Sequence, residues 1–402
     1  MSAATGRTIV ALAEVAWGYF RTRKQFLLAR LAARGWRVVY VEPMAAGRGN
    51  AWEPRVVDGV TVITAPFLKT NTRQPLYNAA IEVPPLRAAI EAAGAAAAVK
   101  AVRRLGVDAV DVAFLSNIHA AKALSGLGPR LVCYDFNDHP LQFAGVPAWA
   151  EASLARALAR ADFVIAVSAH YARQLATRVA APVVLLGNGV EYAHFATARG
   201  TAPPALAAVP RPRVGYVGKV SHFLDFGVLE RLAAAGDFEL VILGPLPDET
   251  RASVDRLRRA PHAHVLGEVP YADVPAALAA LDVALIPFRA HDRFTVGINP
   301  NKLYQYWAAG LPIVSSPMSD IATEGRTLTF AAGPDAFVAG VRERLAAPCD
   351  PEAARARARA HDWDAIADRL DAMLASALAA KAARGTVRRE DVAPYGEDVP
   401  AA

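Results

Sequence analysis

Short unbroken apolar runs alternate along this chain with longer stretches in which apolar residues recur at helical spacing. That alternation predicts strands buried on both faces and joined by crossover helices. Arg7 to Val15 reads as the first strand, Gln25 to Arg34 as a helix stopped by Gly35, and Trp36 to Glu42 as the second strand. Val56 to Ala65 predicts a further strand, Leu68 to Pro85 a proline-containing loop, and Leu86 to Leu105 an alanine-rich helix. Strands over Asp111–Leu115, Arg130–Tyr134, Phe163–Ser168 and Val183–Leu186 continue the series, which Asn188-Gly189-Val190 closes. A second series opens at Arg213–Val217 and continues through strands at Phe238–Leu243, Val265–Leu266 and Val283–Pro287, with helices between them.

At 402 residues the chain exceeds one ordinary core, so two domains of roughly 150 to 200 residues are expected. The pattern divides it into an N-terminal domain over 1–196, a Pro/Gly-containing linker over 197–212 and a second domain over 213–358. A C-terminal helix over 359–380 and a tail over 381–402, expected to be disordered, complete it. The two cysteines, Cys133 and Cys349, lie far apart without metal-ligand neighbours, which argues against a disulfide framework and a zinc site. The absence of a leader or an apolar span fits a cytoplasmic protein, peripheral at most on the inner face of a membrane.

Charge changes this picture locally. Residues 1–110 hold 15 Lys/Arg against 7 Asp/Glu, a balance of +8, whereas the remainder holds 29 against 31. Arg21, Arg23 and Lys24, close to Trp17, form a basic stretch suited to an acidic acceptor or an anionic membrane surface. A nucleic acid is not expected, because no reading motif or interleaved aromatic set accompanies the charge.

The candidate chemistry collects at strand ends. In Asn299-Pro300-Asn301-Lys302-Leu303-Tyr304-Gln305, Pro300 opens a helix whose first turn carries Lys302, so backbone N–H groups and a cation address one anion. Gln305 follows one turn later. Gly218-Lys219 follows another strand of the same half, where Gly218 permits close approach to a phosphate and Lys219 offsets its charge. Glu268 and the Val269 backbone follow a third strand and suit a ribose hydroxyl and a base edge. In the first half, Tyr134-Asp135-Phe136-Asn137-Asp138-His139 sits at a strand end, where Asp138 is the preferred general base, with Asp135, His139 and His119 as alternatives. The D-x-D spacing of Asp362-Trp363-Asp364 is read as a helix cap rather than a metal site.

With these residues placed, the chain resembles GT-B glycosyltransferases from Ile9 to about Leu374. It is most similar to bacterial teichuronic-acid-type transferases and to the glucuronosyltransferase of xanthan assembly. Trp17, Arg23 and Tyr40-Val41-Glu42-Pro43, the Y-D-x-x-D strand end, Asn188-Gly189-Val190 with Phe195, and residues 300–312 carry the resemblance. It implies an α/β architecture of two Rossmann-like domains whose parallel sheets face a central cleft, with the C-terminal helix packing back on the N-terminal domain. It also implies a UDP-sugar donor held by Lys302 and Gln305, with Glu268 and Val269 at the uracil, and Asp138 as base towards a lipid-linked or saccharide acceptor. Gly297 and Gln305 stand where many relatives have E-x7-E, and the expected chemistry is therefore inverting, with neither metal nor other cofactor. A nucleotide-sugar epimerase and a non-catalytic sugar-nucleotide-binding module are the alternatives.

Overall fold

The structure is a computed structural model that describes residues 6–18, 21–44, 53–70, 72, 74–143, 145–196, 202–289, 293–318, 321 and 327–393. It divides into two compact units, Met1–Gly187 with Ile366–Ala402, and Asn188–Ala365.

The first unit is built on an eight-stranded sheet. Its strands are β1 (Thr8–Leu12), β2 (Arg37–Pro43), β3 (Arg55–Val57), β4 (Val60–Ala65), β5 (Val112–Leu115), β6 (Leu131–Phe136), β7 (Phe163–Ala166) and β8 (Val183–Leu185). They are ordered β3-β4-β2-β1-β5-β6-β7-β8, all parallel except β3. Helices Arg23–Ala33, Pro84–Arg104, Ala150–Ala159 and Ala169–Ala176 supply crossovers that parallel neighbours require. Every residue of β1, β5, β6 and β7 is buried, which is why these strands read as apolar runs without alternation.

The expected single strand from Val56 to Ala65 is a hairpin. Asp58 at φ 52 and Gly59 at φ 77 turn the chain, so β3 pairs antiparallel with β4 at the sheet edge. The expected loop from Leu68 to Pro85 contains the helix Pro75–Glu82, because Pro75 occupies the first turn, where its missing N–H costs nothing.

The second unit carries β9 (Arg213–Val217), β10 (Glu239–Leu243), β11 (Ala263–Gly267), β12 (Val283–Ile286), β13 (Ile313–Ser315) and β14 (Leu328–Phe330). These form a parallel sheet in the order β11-β10-β9-β12-β13-β14. Its chain begins at Asn188, not after 196. The Asn188 side chain donates to the Asn299 carbonyl at 2.6 Å, and Val190 exchanges backbone bonds with His361 and Trp363. Residues 202–212 are likewise part of this unit rather than a free linker, since Leu206 and Val209 are buried in its core; residues 197–201 lie outside the described residues.

The helix Trp363–Arg384 enters the first unit at Ile366. Ile366, Leu370, Met373, Leu374 and Ala377 are buried at helical spacing, and Trp36 Nε1 donates to Asp371 at 2.8 Å. The expected disorder from 381 does not hold up to 393. Lys381 pairs with Asp162 at 2.6 Å, a short helix follows at Arg389–Val392, and Val387 and Val392 are buried; the tail from 394 lies outside the described residues. Asp362 caps as expected, accepting from the backbone N–H groups of Asp364 and Tyr192.

Candidate active site

In the second unit the carboxyl ends of β9, β10, β11 and β12 carry Gly218, Gly244, Glu268 and Phe288 on one edge of the parallel sheet, where ligands of such sheets collect. Gly218 at φ 147 and Gly244 at φ 140 bring two turns together, and the Gly218 N–H donates to the Leu243 carbonyl at 2.8 Å. A Cβ at position 244 would stand 2.1 Å from the Gly218 carbonyl oxygen, so only glycine fits there. Tyr306 fixes the first of these turns: its hydroxyl accepts from the Val217 N–H at 2.9 Å and donates to the Val217 carbonyl at 3.2 Å. Tyr216 donates to the Lys219 carbonyl at 2.9 Å.

Helix Asn301–Ala308 opens at this edge with Pro300 as its cap, which offers no side-chain acceptor to the first-turn N–H groups. Gly310 at φ 77 ends it. Lys302 lies half-buried beside Gly218, with its Nζ 5.3 Å from the centroid of the Tyr216 ring and 5.2 Å from that of Phe288. Among the described residues no carboxylate lies against it, and burial alone lowers its pKa to about 8. A desolvated ammonium backed by aromatic faces is electrostatically suited to an anionic group. Gln305 sits one turn further on the same helix face, also half-buried. Asn299 is engaged by Asn188 through both its Oδ1 and its carbonyl, while Asn301 Oδ1 is buried without a hydrogen bond. Lys219 and Glu268 are exposed, and Val269 is half-buried.

In the first unit the carboxyl ends of β1 and β6 bring Glu14, Lys24, Arg23, Asp135 and Asp138 into one charged group. Arg23 Nε bonds Asp135 at 3.0 Å, and its Nη1 bonds the Gly187 carbonyl at 2.5 Å. Lys24 Nζ meets Glu14 at 2.5 Å, and Ser116 donates to the same carboxylate at 2.6 Å. Burial works against the charged form of Lys24, but the neighbouring Glu14 and Asp135 carboxylates outweigh it and raise its pKa. Asp138 is half-buried, accepts from Asn137 Nδ2 at 2.9 Å, and has its pKa pushed up to about 6, chiefly by burial against the opposing pull of Lys24.

These contacts correct part of the sequence reading. Arg23 and Lys24 are 1% and 3% exposed, so they are internal ion-pair partners and do not present their charges to a membrane surface. Trp17 is also buried, edge-on to Tyr40, while Arg21 is exposed and pairs with Asp58 at 2.8 Å. Asp135 is buried and held by Arg23. His139 is buried between Phe136 and Tyr171, and its Nδ1 accepts from the Leu141 N–H at 3.3 Å; burial lowers its pKa. His119 packs on Trp149 and faces Glu91. Among the described residues, no cation is bonded to Asp138, in contrast to Asp135. Among the described residues, no three His, Cys, Asp or Glu side chains are placed to hold a metal ion.

Residues 25–194 match the family described as Glycosyltransferase Family 4, and residues 211–347 match Glycosyl transferases group 1. Those matches cover most of both sheets. The chain is a glycosyltransferase of GT-B fold. Sucrose-phosphate synthase from Thermosynechococcus elongatus has a similar fold, with a TM-score of 0.70 at 16% identity, over 93% of this chain and 100% of that one. Anabaena HepE in complex with UDP and glucose (TM-score 0.64, 16% identity, 92% and 99% covered) is also similar. So is a glycosyltransferase from Rickettsia africae (TM-score 0.64, 13% identity, 93% and 99% covered). No curated protein matches the sequence.

The candidate site includes residues that the sequence pattern does not reveal. Glu14, Ser116, Gly244, Tyr216 and Tyr306 become visible only once distant segments meet. Gly244 alone carried a local signal, a glycine directly after an apolar strand. The Arg23–Asp135 pair yields a stability prediction: Arg23→Met leaves the buried Asp135 carboxylate without its hydrogen-bonded cation and should cost about 3–5 kcal/mol. Urea denaturation measures it, and a loss below about 1 kcal/mol would show that water reaches Asp135.

Proposed function

We propose that the enzyme transfers a sugar from a nucleoside diphosphate donor, with UDP as the nucleotide, to a hydroxyl of a saccharide or lipid-linked acceptor in cell-surface glycan synthesis. The observation that carries the donor assignment is Lys302, a desolvated ammonium with no carboxylate partner among the described residues, next to Gly218 and at the opening of an uncapped helix. The leaving diphosphate is stabilised there by the ammonium and the first-turn N–H groups, charge that develops as the glycosidic bond breaks. Gln305 adds a polar contact from the next turn, and Glu268 with the Val269 backbone serves the base and ribose.

Asp138 acts as general base on the acceptor hydroxyl, which attacks the anomeric carbon with inversion. The place of Gln305 and Gly297 in the E-x7-E pattern supports inversion over retention, as does the proton affinity of Asp138. A carboxylate that titrates near pH 6 removes a proton more readily than an ordinary aspartate does. The similarity of residues 300–312 and of the Y-D-x-x-D strand end to teichuronic-acid-type and xanthan glucuronosyltransferases supports the acceptor class.

Thermal melting with saturating UDP, GDP and ADP tests the donor. UDP should raise the melting temperature most, since a ligand bound only by the folded state stabilises it by mass action. Equal shifts with all three would remove the uracil assignment. Incubation of the preferred UDP-sugar with and without acceptor then separates transfer from epimerisation, because an epimerase converts the donor alone.

A further inference from the structure

The turn after β1 is pinned from both sides. The Ala13 N–H donates to the Val41 carbonyl of β2 at 3.1 Å, and the Tyr40 hydroxyl donates to the Val15 carbonyl at 2.9 Å. From the end of β5, the Ser116 and Asn117 N–H groups both donate to the Leu12 carbonyl at 3.1 Å, and the buried Asn117 amide donates to the Ala13 carbonyl at 3.1 Å. Glu14, in the middle of this turn, is therefore a fixed carboxylate. Both its oxygens are engaged, Oε1 by Lys24 Nζ at 2.5 Å and Oε2 by the Ser116 hydroxyl at 2.6 Å, although 40% of the side chain is exposed. Burial opposes its charge, but Lys24 and the hydrogen bonds outweigh it and lower its pKa, so Glu14 is ionised.

Lys24 occupies an unfavourable place for a cation. It lies in the first turn of the helix Arg23–Ala33, at the positive end of the helix dipole, with no acidic residue in that turn. Carboxylates from the ends of β1 and β6 compensate: Glu14 holds Lys24, and Asp135 holds Arg23. Two cations are thus matched by two carboxylates through direct bonds, and Asp138 is a third carboxylate acting on the same group. Among the described residues, the titratable groups that act on Asp138 are Lys24 on the helix, Glu14 on the β1 turn, Asp135 on β6 and Tyr171 on the helix Ala169–Ala176. Burial keeps the Tyr171 phenol protonated and the neighbouring His139 neutral at neutral pH, so neither adds charge. Apart from burial and the Asn137 hydrogen bond, the ionisation of Asp138 is set by one ammonium against two carboxylates, and that ammonium is already bonded to Glu14.

We propose that Glu14 is a positioning residue: by fixing the Lys24 ammonium on itself it keeps that cation from pairing with Asp138, and so preserves Asp138 as a strong proton acceptor. Removing the Glu14 charge takes a like charge away from Asp138 and frees an opposite charge towards it. Both changes favour the ionised carboxylate and weaken it as a base. Removing the Lys24 charge acts in the other direction. The catalytic consequence rests on the assignment of Asp138 as base, whereas the coupling of Glu14, Lys24 and Asp138 does not.

Carbon NMR of the full chain, labelled at the aspartate side-chain carboxyl, measures that coupling without turnover. The Asp138 signal is the one missing from Asp138→Asn, and in the parent it should titrate near pH 6. Glu14→Gln keeps an acceptor for Ser116 but removes the charge that holds Lys24, and the Asp138 midpoint should fall by about one pH unit or more. In Lys24→Met it should rise by a similar amount. The acid limb of kcat/KM should move in the same two directions, which a role confined to folding would not produce. An Asp138 midpoint that stays put or rises in Glu14→Gln would overturn the proposal, and this variant decides the matter even if Lys24→Met does not fold. A midpoint that falls while the acid limb stays put would support the coupling and count against Asp138 as the base.

Discussion

Lys302→Ala should lower kcat/KM by about 10²- to 10³-fold, the range seen when one preorganised group that stabilises developing charge is removed. Burial has already lowered the Lys302 pKa to about 8, so a nearby anion gains an ammonium that water does not compete for. The loss should fall on nucleoside diphosphates, leaving the free nucleoside's affinity nearly unchanged, since uridine presents no phosphate. The fold should survive, because the substitution removes a desolvated charge and breaks no ion pair among the described residues. Unchanged binding of every nucleoside diphosphate would sink the assignment.

Asp138→Asn should reduce kcat by about 10²- to 10⁴-fold, the range for a positioned general base. Donor affinity should stay close to the parent's. In the parent, the acid limb of kcat/KM should fall near pH 6, because the base must be ionised and its pKa is raised to about 6. The stability effect has the opposite sign to the activity effect. With a folded pKa above that of the unfolded carboxyl, the protonated form is favoured by folding. This contribution is fully present below about pH 4 and is lost as the pH rises through about 6. At neutral pH the ionised Asp138 thus costs stability, and Asp138→Asn should melt no lower than the parent and unfold with a ΔG higher by up to about 2 kcal/mol. A variant that is both inactive and markedly less stable would indicate a structural role instead.

The parallel sheets were legible because both faces of each are covered, so β7 and β10 appear as plain apolar runs with helices between. The strand–helix unit around Lys302 was legible for the same reason, and because Pro300 and Gly310 mark its ends. Two local misreadings had signals that pointed the other way. Asp58-Gly59 is a hairpin turn pair inside what looked like one strand, and Pro75 opens a helix as readily as it marks a loop. The buried charges were a different matter. Arg23 and Asp135 are 112 residues apart, and in sequence a run of three basic residues near a helix start looks like a solvated face. Only the parallel neighbours of β1 bring Asp135 up to Arg23 and convert that run into an interior pair.

Proton uptake on UDP binding, measured calorimetrically in two buffers of different ionisation heat, tests the central assignment most directly. At about pH 8.5 free Lys302 should be mostly neutral, and a diphosphate placed against it should restore the charge, with uptake of about half a proton or more per UDP bound. The same titration of Lys302→Met should show none. Absence of uptake by the parent, or equal uptake by both, would contradict the placement of the donor diphosphate at Lys302.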